Sequence, residues 1–170
     1  SLEHEVSTPF EFESNGRKLR VLFKGTADRI DTLDSGIVRV VDYKTGAPHL
    51  MFEGVEKLFA GTSKQRQSNI IQTLLYSMMI TRSEGRAVVP ALYYVRDLGR
   101  EDYSPQLIEV VGSGKNKLLQ TVDNYAAYAE EFENHLAATL GEIFDFDRPF
   151  TQCDDRDVCK YCDYIDICRR

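Results

Sequence analysis

The chain has 170 residues, of which 42% are hydrophobic and 28% are charged, a composition typical of one globular domain with a sizeable core. No apolar stretch approaches the roughly 20 residues of a membrane span, and no basic segment followed by an apolar core marks a signal peptide, so we expect a cytoplasmic protein without membrane association. The formal net charge of −6 argues against a large nucleic-acid-binding surface, although it is compatible with a narrow site in which a divalent ion supplies positive charge.

Three strands are predicted in the first part of the chain. Partial alternation of apolar and polar residues predicts the first strand over residues 6–12, and Gly16 marks the turn to a second strand over residues 17–30. The turn signal Leu33-Asp34-Ser35-Gly36 separates the second strand from a third over residues 36–43. We therefore expect the second and third strands to pair as a β-hairpin.

The middle of the chain predicts a loop, a helix and two strands. Residues 45–64 mix Gly, Pro and scattered apolar residues, and we interpret them as a loop with at most a short helix. Apolar spacing predicts a helix over residues 65–81. Residues 86–97 and 107–111 are predicted as strands, and Pro90 favours an edge position or a bulge for the former.

One long amphipathic helix is predicted over residues 115–144, because apolar residues recur there every three or four positions. A cysteine-rich tail follows it. Strands with helices before and behind them predict an α/β domain built on a central mixed β-sheet. The apolar residues of the predicted helix are Leu118, Val122, Tyr125, Ala129, Phe132, Leu136, Leu140 and Ile143.

Three charged residues of the predicted hairpin suggest chemistry. Asp42 and Lys44 are two positions apart in one strand, so they share a face, and Asp28 lies in the partner strand. The two carboxylates and the backbone carbonyl of Tyr43 are oxygen ligands of the kind that Mg²⁺ prefers. Lys44 can position an attacking water or stabilise negative charge on a phosphate. The cluster predicts metal-assisted hydrolysis; an exposed ion pair is the simpler alternative.

Two polar residues lie at the margin of the apolar face of the predicted helix over residues 65–81. Gln72 and Tyr76 are four positions apart and are therefore stacked on one side of that helix. From there their side chains can reach a phosphate, a base edge or Lys44. A half-buried Tyr76 beside a solvated Gln72 is the alternative.

The ordered motifs G-x-x-D-R-I-D, V-D-Y-K-T-G and Q-x-x-x-Y, which begin at Gly25, Val41 and Gln72, resemble the PD-(D/E)XK nuclease superfamily. They are most similar to the branch that contains the RecB and AddB nuclease domains and the CRISPR-adaptation exonucleases, over residues 6–169. The resemblance implies a restriction-endonuclease-like core and a DNA substrate. It also implies that Asp28 and Asp42 bind Mg²⁺ or Mn²⁺, that Lys44 is the catalytic lysine, and that Gln72 and Tyr76 contact the substrate.

The sequence departs from the family pattern at its beginning. The resemblance implies a further acidic or histidine ligand from a helix before the first strand, and the sequence begins too close to Val6 to include that helix. Glu3, His4 and Glu5 are candidates for its remnant, but entry into the first strand is the better interpretation. We therefore expect residues 1–148 to be the nuclease core of a larger protein, and the isolated segment to be inactive or weakly active.

All four cysteines fall within the last eighteen residues, as C-x5-C-x2-C-x5-C. Thiolates at this spacing can hold zinc or an iron–sulfur cluster; free thiols of a vestigial site are the alternative. The resemblance implies a four-iron cluster whose C-x2-C-x5-C ligands match Cys159, Cys162 and Cys168, with Cys153 in place of an upstream ligand. We expect residues 149–170 to form a structural tail that packs on the core.

The leading hypothesis is therefore a metal-dependent deoxyribonuclease, an exonuclease domain of a helicase–nuclease or of a recombination and repair protein. Its partners are DNA and the helicase or other domains of the parent protein. Two alternatives stay open. One is a catalytically incomplete nuclease-fold module that binds DNA or supports a larger complex. The other is an interaction domain held together by zinc.

Overall fold

A computed structural model describes residues 1–60, 67–149, 151–153, 156–160 and 162–169. Its largest sheet has four strands in the order β1-β2-β3-β5. β1 pairs with β2 and β2 with β3 antiparallel, whereas β3 and β5 are parallel, so the predicted central mixed sheet is confirmed. The strands are β1 (Leu2–Ser14), β2 (Arg17–Thr32), β3 (Val38–Lys44) and β5 (Val88–Tyr94).

The β1–β2 hairpin is longer than the sequence predicted. Its turn is Asn15-Gly16, with φ of 48° and 70°, and left-handed residues of this type match the twist of two-residue hairpin turns. Alternate residues of β1 from Val6 to Ser14 are buried. One face of the hairpin therefore belongs to the core, while the other is exposed.

The parallel pairing of β3 and β5 requires a crossover, which helix α2 (Ser68–Glu84) provides. Its residues Ile70, Leu74 and Met78 are fully buried in the core. Val38 and Val40 of β3 and Val88, Leu92 and Tyr94 of β5 also belong to this core. The helix predicted over residues 65–81 is confirmed from Ser68 onward, and residues 65 and 66 lie outside the described residues.

β5 occupies the edge of the four-stranded sheet. Pro90, opposite Val40 in the parallel pairing, therefore lies on an edge strand, as predicted. A short 3₁₀ helix, Val95–Asp97, ends the segment that was predicted as strand to residue 97.

A second sheet lies in the order β4-β6-β7. β4 (Met51–Phe52) and the short helix α1 (Val55–Phe59) fall within the predicted loop over residues 45–64, of which residues 61–64 lie outside the described part. β6 (Ile108–Val111) confirms the strand predicted over residues 107–111, and β7 (Leu118–Thr121) pairs antiparallel with it.

The prediction of one helix over residues 115–144 was wrong. Its first half contains β7 and a 3₁₀ turn at Tyr125–Ala127, and helix α3 spans only Ala129–Ile143. Leu118 is exposed in β7, whereas Val122 and Tyr125 are buried beyond it. A spacing of three to four residues thus joined apolar residues of separate elements: Leu118 in β7, Val122 just after it and Tyr125 in the 3₁₀ turn.

α3 packs on β1 and on α1. Ser14 Oγ donates a hydrogen bond to Gly141 O at 2.8 Å, and Phe59 and Phe132 are in ring contact. The tail contains two short helices, α4 (Arg156–Cys159) and α5 (Ile165–Cys168). Its separation from a core over residues 1–148 stays a prediction. No helix of the described segments is both long and apolar enough to span a membrane.

Candidate active site

Pairing of β2 with β3 brings Asp28 beside Asp42 and Lys44. Arg29 lies opposite Val41, which places Asp28 at the level of Asp42. Asp28 Oδ2 accepts a hydrogen bond of 2.8 Å from the backbone N–H of Tyr43, the residue between Asp42 and Lys44. The predicted convergence of Asp28 with the D-x-K segment is therefore present.

An irregularity in β2 allows Asp28 to reach this position. Ala27 and Ile30 both belong to the core, although residues three apart in a regular strand face opposite sides. Glu3, which lies opposite this point in β1, has a φ of 46°. The alternation of β2 thus shifts by one residue at Asp28, between the hairpin and the part that pairs with β3.

Asp42 is buried, with 3% of its surface exposed. Its Oδ2 is held in an ion pair with Lys44 Nζ at 2.5 Å, and no further hydrogen bond to this oxygen comes from the described residues. Burial raises the pKa of the Asp42 carboxyl, and the negative charge of Asp28 raises it further, while Lys44 opposes both. Lys44 therefore supplies the contact recorded for this buried oxygen, which can accept a second partner.

Lys44 lies between the sheet and helix α2. Residues 38, 40, 42 and 44 of β3 share the face toward α2, and Val38 and Val40 belong to the core there. At the end of that row, Lys44 Nζ donates a hydrogen bond of 3.0 Å to Gln72 Oε1. Of the three predicted targets of Gln72, the structure shows contact with Lys44.

Tyr76, one turn further along α2, packs on the sheet. Its ring lies against Gly25, where a Cβ atom would be 2.8 Å from Tyr76 Cε1 and 3.5 Å from its hydroxyl oxygen. Gly25 is the first residue of the first sequence motif, but its contact with the Tyr76 ring was not predicted. The glycine itself, inside a predicted strand and three residues before the candidate ligand Asp28, could have predicted this contact. A glycine in a strand commonly marks the close approach of another group.

The predicted remnant of an upstream ligand lies in β1. Glu3, His4 and Glu5 are all part of this strand, and His4 Nε2 lies 3.4 Å from Glu84 Oε1 at the end of α2. His4 thus has a partner of its own. The interpretation of these residues as strand entry is confirmed.

The residues at the site suit a hard divalent cation. Within the described ranges, no three His, Cys, Asp or Glu side chains converge as a ready-made metal site. Mg²⁺, however, is commonly held by one or two carboxylates, with water and phosphate completing the octahedron. The carboxylates of Asp42 and Asp28 meet that requirement, since Asp42 Oδ2 contacts Lys44 and can accept a second partner. A role for the carbonyl of Tyr43 stays a prediction.

The cysteines lie at the two short tail helices. Cys159 is buried and Cys162 is partly buried, and the Cys162 N–H donates to the Cys159 carbonyl at 3.2 Å. Cys168 ends α5, and Cys153 precedes α4. The described cysteines do not converge as a group of three metal ligands, so a cluster at the tail stays a prediction.

Comparison with known proteins identifies one family. The model of the PD-(D/E)XK nuclease superfamily matches residues 1–169. No curated protein matches the sequence. Among solved structures, one titled "Crystal structure of SSO0001" is similar at 14% identity and a TM-score of 0.39, with 99% of this chain and 59% of that chain covered. The chain therefore spans about three fifths of the length of that neighbour.

Proposed function

The chain belongs to the PD-(D/E)XK nuclease superfamily, and from this premise we propose that it is a deoxyribonuclease that uses Mg²⁺ or Mn²⁺ at Asp28 and Asp42, with Lys44 as the catalytic lysine. One observation carries the proposal: the contact of the buried Asp42 Oδ2 among the described residues is its ion pair with Lys44 Nζ at 2.5 Å. A carboxylate oxygen with one partner can accept a second, such as a cation. The nearby ammonium supplies positive charge where a phosphate would meet the ion.

Each residue has a distinct part in this reaction. Asp28, Asp42 and the carbonyl of Tyr43 would hold the ion, which when bound polarises the phosphate and lowers the pKa of water. The backbone N–H of Tyr43 orients Asp28 through its 2.8 Å hydrogen bond. Lys44 donates hydrogen bonds to the non-bridging phosphate oxygens as negative charge develops on them.

Gln72 has a positioning role in this proposal. Its Oε1 accepts a hydrogen bond of 3.0 Å from Lys44 Nζ. This bond keeps the lysine ammonium beside the proposed metal site. Tyr76 fixes α2 on the sheet at Gly25, and its hydroxyl remains a candidate substrate contact. The pair thus supports catalysis mainly by fixing the lysine, with contact to DNA as a further contribution.

The finer assignment is an exonuclease domain of the RecB and AddB branch, which acts in recombination and repair beside helicase or other domains of a larger protein. The ordered motifs and the C-x2-C-x5-C of the tail support it. In this assignment Cys153, Cys159, Cys162 and Cys168 hold a four-iron cluster, with zinc as the alternative occupant.

Cleavage of end-labelled linear single- and double-stranded DNA, with RNA of the same sequence in parallel, tests the proposal in the presence of Mn²⁺. We expect Asp42→Ala and Lys44→Ala each to lower the cleavage rate by at least about 10²-fold. Asp31→Asn is the matched control, because Asp31 pairs with Arg29 at 2.6 Å and Arg39 at 2.8 Å, outside the D-x-K cluster. Equal cleavage by wild type, Asp42→Ala and Lys44→Ala would reject the assigned site.

A second candidate is a nuclease-fold module that binds DNA without cutting it. The observation that favours it is the convergence of only two carboxylates at the site within the described residues. Titration with Mn²⁺ followed by electron paramagnetic resonance separates the candidates. A module with an incomplete site binds the ion weakly and cuts nothing, and its Asp42→Ala variant gives the same titration curve as the wild type.

A further inference from the structure

A cleft of about 690 Å³ is lined by residues of the small sheet and of helix α1. One wall is a face of the small sheet: Val110 lies opposite Leu119 in the β6–β7 pair, and Met51 lies opposite Ile108 on the same face. Met51 and Leu119 are 46% and 63% exposed. The wall is therefore apolar and open to solvent.

The rim of the cleft is cationic. Lys57 Nζ and Lys117 Nζ donate to the two carboxylate oxygens of Glu53 at 2.7 Å and 2.9 Å. The two ammonium groups hold the pKa of Glu53 at about 2, so Glu53 is ionised at neutral pH. Two positive charges against one negative charge leave the rim attractive to an anion.

Hydrogen bonds connect this cleft to the candidate active site. Tyr94, which lies opposite Lys44 in the β3–β5 register, donates to the His49 carbonyl at 3.2 Å, and His49 lines the cleft. Gln67 also lines it, with its Nε2 2.7 Å from His49 Nε2. Gln67 precedes Gln72, the partner of Lys44, by five residues, or about 7.5 Å along the helix axis.

The size and chemistry of the cleft select its ligand. A cube of the same volume has an edge of about 9 Å, and a DNA duplex is wider than its own major groove, which is roughly 12 Å across, so a base-paired duplex does not fit. An unpaired nucleotide does, since its base can lie on the wall of Met51, Val110 and Leu119 while its phosphate meets Lys57 and Lys117. An acidic peptide would use the rim but would leave the apolar wall unused.

We propose that this cleft binds an unpaired nucleotide of the strand being cut, next to the scissile phosphate, so that the substrate is a single strand or a frayed end. The inference rests on the proposed nuclease function for the identity of the strand. Contact with the wall is independent of base identity, because every base has an apolar face. The cleft therefore orders the strand without selecting a sequence.

The test compares binding of fluorescein-labelled oligothymidine and of a labelled duplex to the full chain in EDTA, where metal-dependent cleavage does not occur. Leu119→Glu removes an apolar contact for the base and repels the phosphate, so it should weaken single-strand binding about tenfold. Leu118→Glu is the matched control, because it adds the same charge: Leu118 is 69% exposed on the opposite face of the same strand, and its variant should bind like the wild type. Equal thermal unfolding temperatures of the two variants exclude misfolding as the cause.

Charge variants test the rim. Lys57→Gln with Lys117→Gln should reduce the dependence of log affinity on log salt by about 0.7 for each phosphate that no longer meets a lysine. Glu53→Gln should strengthen binding, because it removes the negative charge between the two lysines. Tight binding of the duplex, or equally weakened single-strand binding in Leu118→Glu and Leu119→Glu, overturns the proposal.

Cleavage with Mn²⁺ is measured in parallel, so that the two proposals fail separately. If the wild type cuts DNA and Leu119→Glu binds and cuts it as well as the wild type does, the nuclease function stands and the cleft proposal is overturned. If Leu119→Glu loses single-strand binding while neither protein cuts, the cleft proposal is supported and nuclease activity of this segment is rejected.

Discussion

The ring of Tyr76 lies against the backbone of Gly25 so closely that a Cβ atom at residue 25 would be 2.8 Å from Tyr76 Cε1. This contact sets the separation of α2 from β2. The same helix carries Gln72, which holds Lys44 Nζ at 3.0 Å. The glycine of the first motif and the tyrosine of the third therefore fix the position of the lysine in the second.

Gly25→Ala is expected to destabilise the protein by about 1–3 kcal/mol, because the added methyl group must displace the Tyr76 ring. Chemical denaturation measures the change in the free energy of unfolding. In a Tyr76→Ala background the same substitution should cost less than half as much, since the clash is removed. Gly46→Ala is the control, because no heavy atom of the described residues, apart from its two chain neighbours, lies within 4 Å of its Cβ position. Equal costs in both backgrounds would show that Tyr76 does not limit residue 25.

Gln72→Leu is expected to lower the kcat of DNA cleavage roughly 10- to 100-fold while leaving Mn²⁺ affinity unchanged, because Lys44 loses its neutral acceptor and keeps only Asp42. Gln72→Glu retains an acceptor oxygen and should recover most of the rate. Single-turnover cleavage and Mn²⁺ titration separate the two quantities. A variant that binds DNA less tightly but cuts bound DNA at the wild-type rate would make Gln72 a substrate contact instead.

The raised pKa of Asp42 gives opposite pH dependences to folding and to metal binding. Burial penalises the ionised carboxylate in the folded state, so protonation favours folding. The contribution of Asp42 to the free energy of unfolding therefore rises as pH falls through its folded pKa and levels off below the ordinary value near 3.9. Mn²⁺ needs the ionised form, and its affinity falls over the same interval.

Carbon-13 NMR of the Asp42 carboxyl, titrated without metal, checks this directly. We expect a pKa above the ordinary value in the wild type. Lys44→Gln should raise the pKa further, because the ammonium of Lys44 opposes the effects of burial and of Asp28. A pKa at the ordinary value, or one that falls in Lys44→Gln, would contradict the electrostatic description of the site.

The tail gives a prediction that metal analysis decides. Protein purified without oxygen should contain iron and absorb visible light if the four cysteines hold a cluster, or one zinc per chain if zinc occupies the site. Cys162→Ser should remove the metal in either case. Neither metal in anaerobic protein would leave the thiols as a vestigial site. The hairpin site is separate, so Mn²⁺ binding at Asp42 should survive Cys162→Ser.

The sequence predicted the strands around the site well, because their signals are local. An apolar run, a turn signal at residues 33–36 and a second run specify β2 and β3, and strand geometry alone puts Asp42 and Lys44 on one face. The burial of Asp42 to 3% exposure was not predicted. It results from helix α2 packing over the end of β3, which is a long-range contact with no local signal.

The small sheet was missed for a related reason. β4 has two residues and pairs with β6 from more than fifty positions away, and β7 lies inside an apolar pattern that also suits a helix. Pairing with β6, and not the apolar pattern of its own residues, determines that β7 is a strand. Asn124 was the overlooked signal, since its side chain accepts a hydrogen bond from the Ala126 N–H and marks a new start before α3.

The packing of α3 on β1 depends on Gly141. Whether Gly141→Ala raises or lowers the free energy of unfolding tests this contact. A Cβ atom at Gly141 would lie 2.8 Å from the carbonyl oxygen of Glu13, and Ser14 Oγ donates to the Gly141 carbonyl at 2.8 Å. In an open helix, Gly→Ala is expected to stabilise by about 0.5–1 kcal/mol. Here Gly141→Ala should destabilise by about 1–3 kcal/mol, because a backbone oxygen cannot move aside as a flexible side chain can. A rise in the free energy of unfolding measured with urea would mean that α3 does not approach β1 this closely.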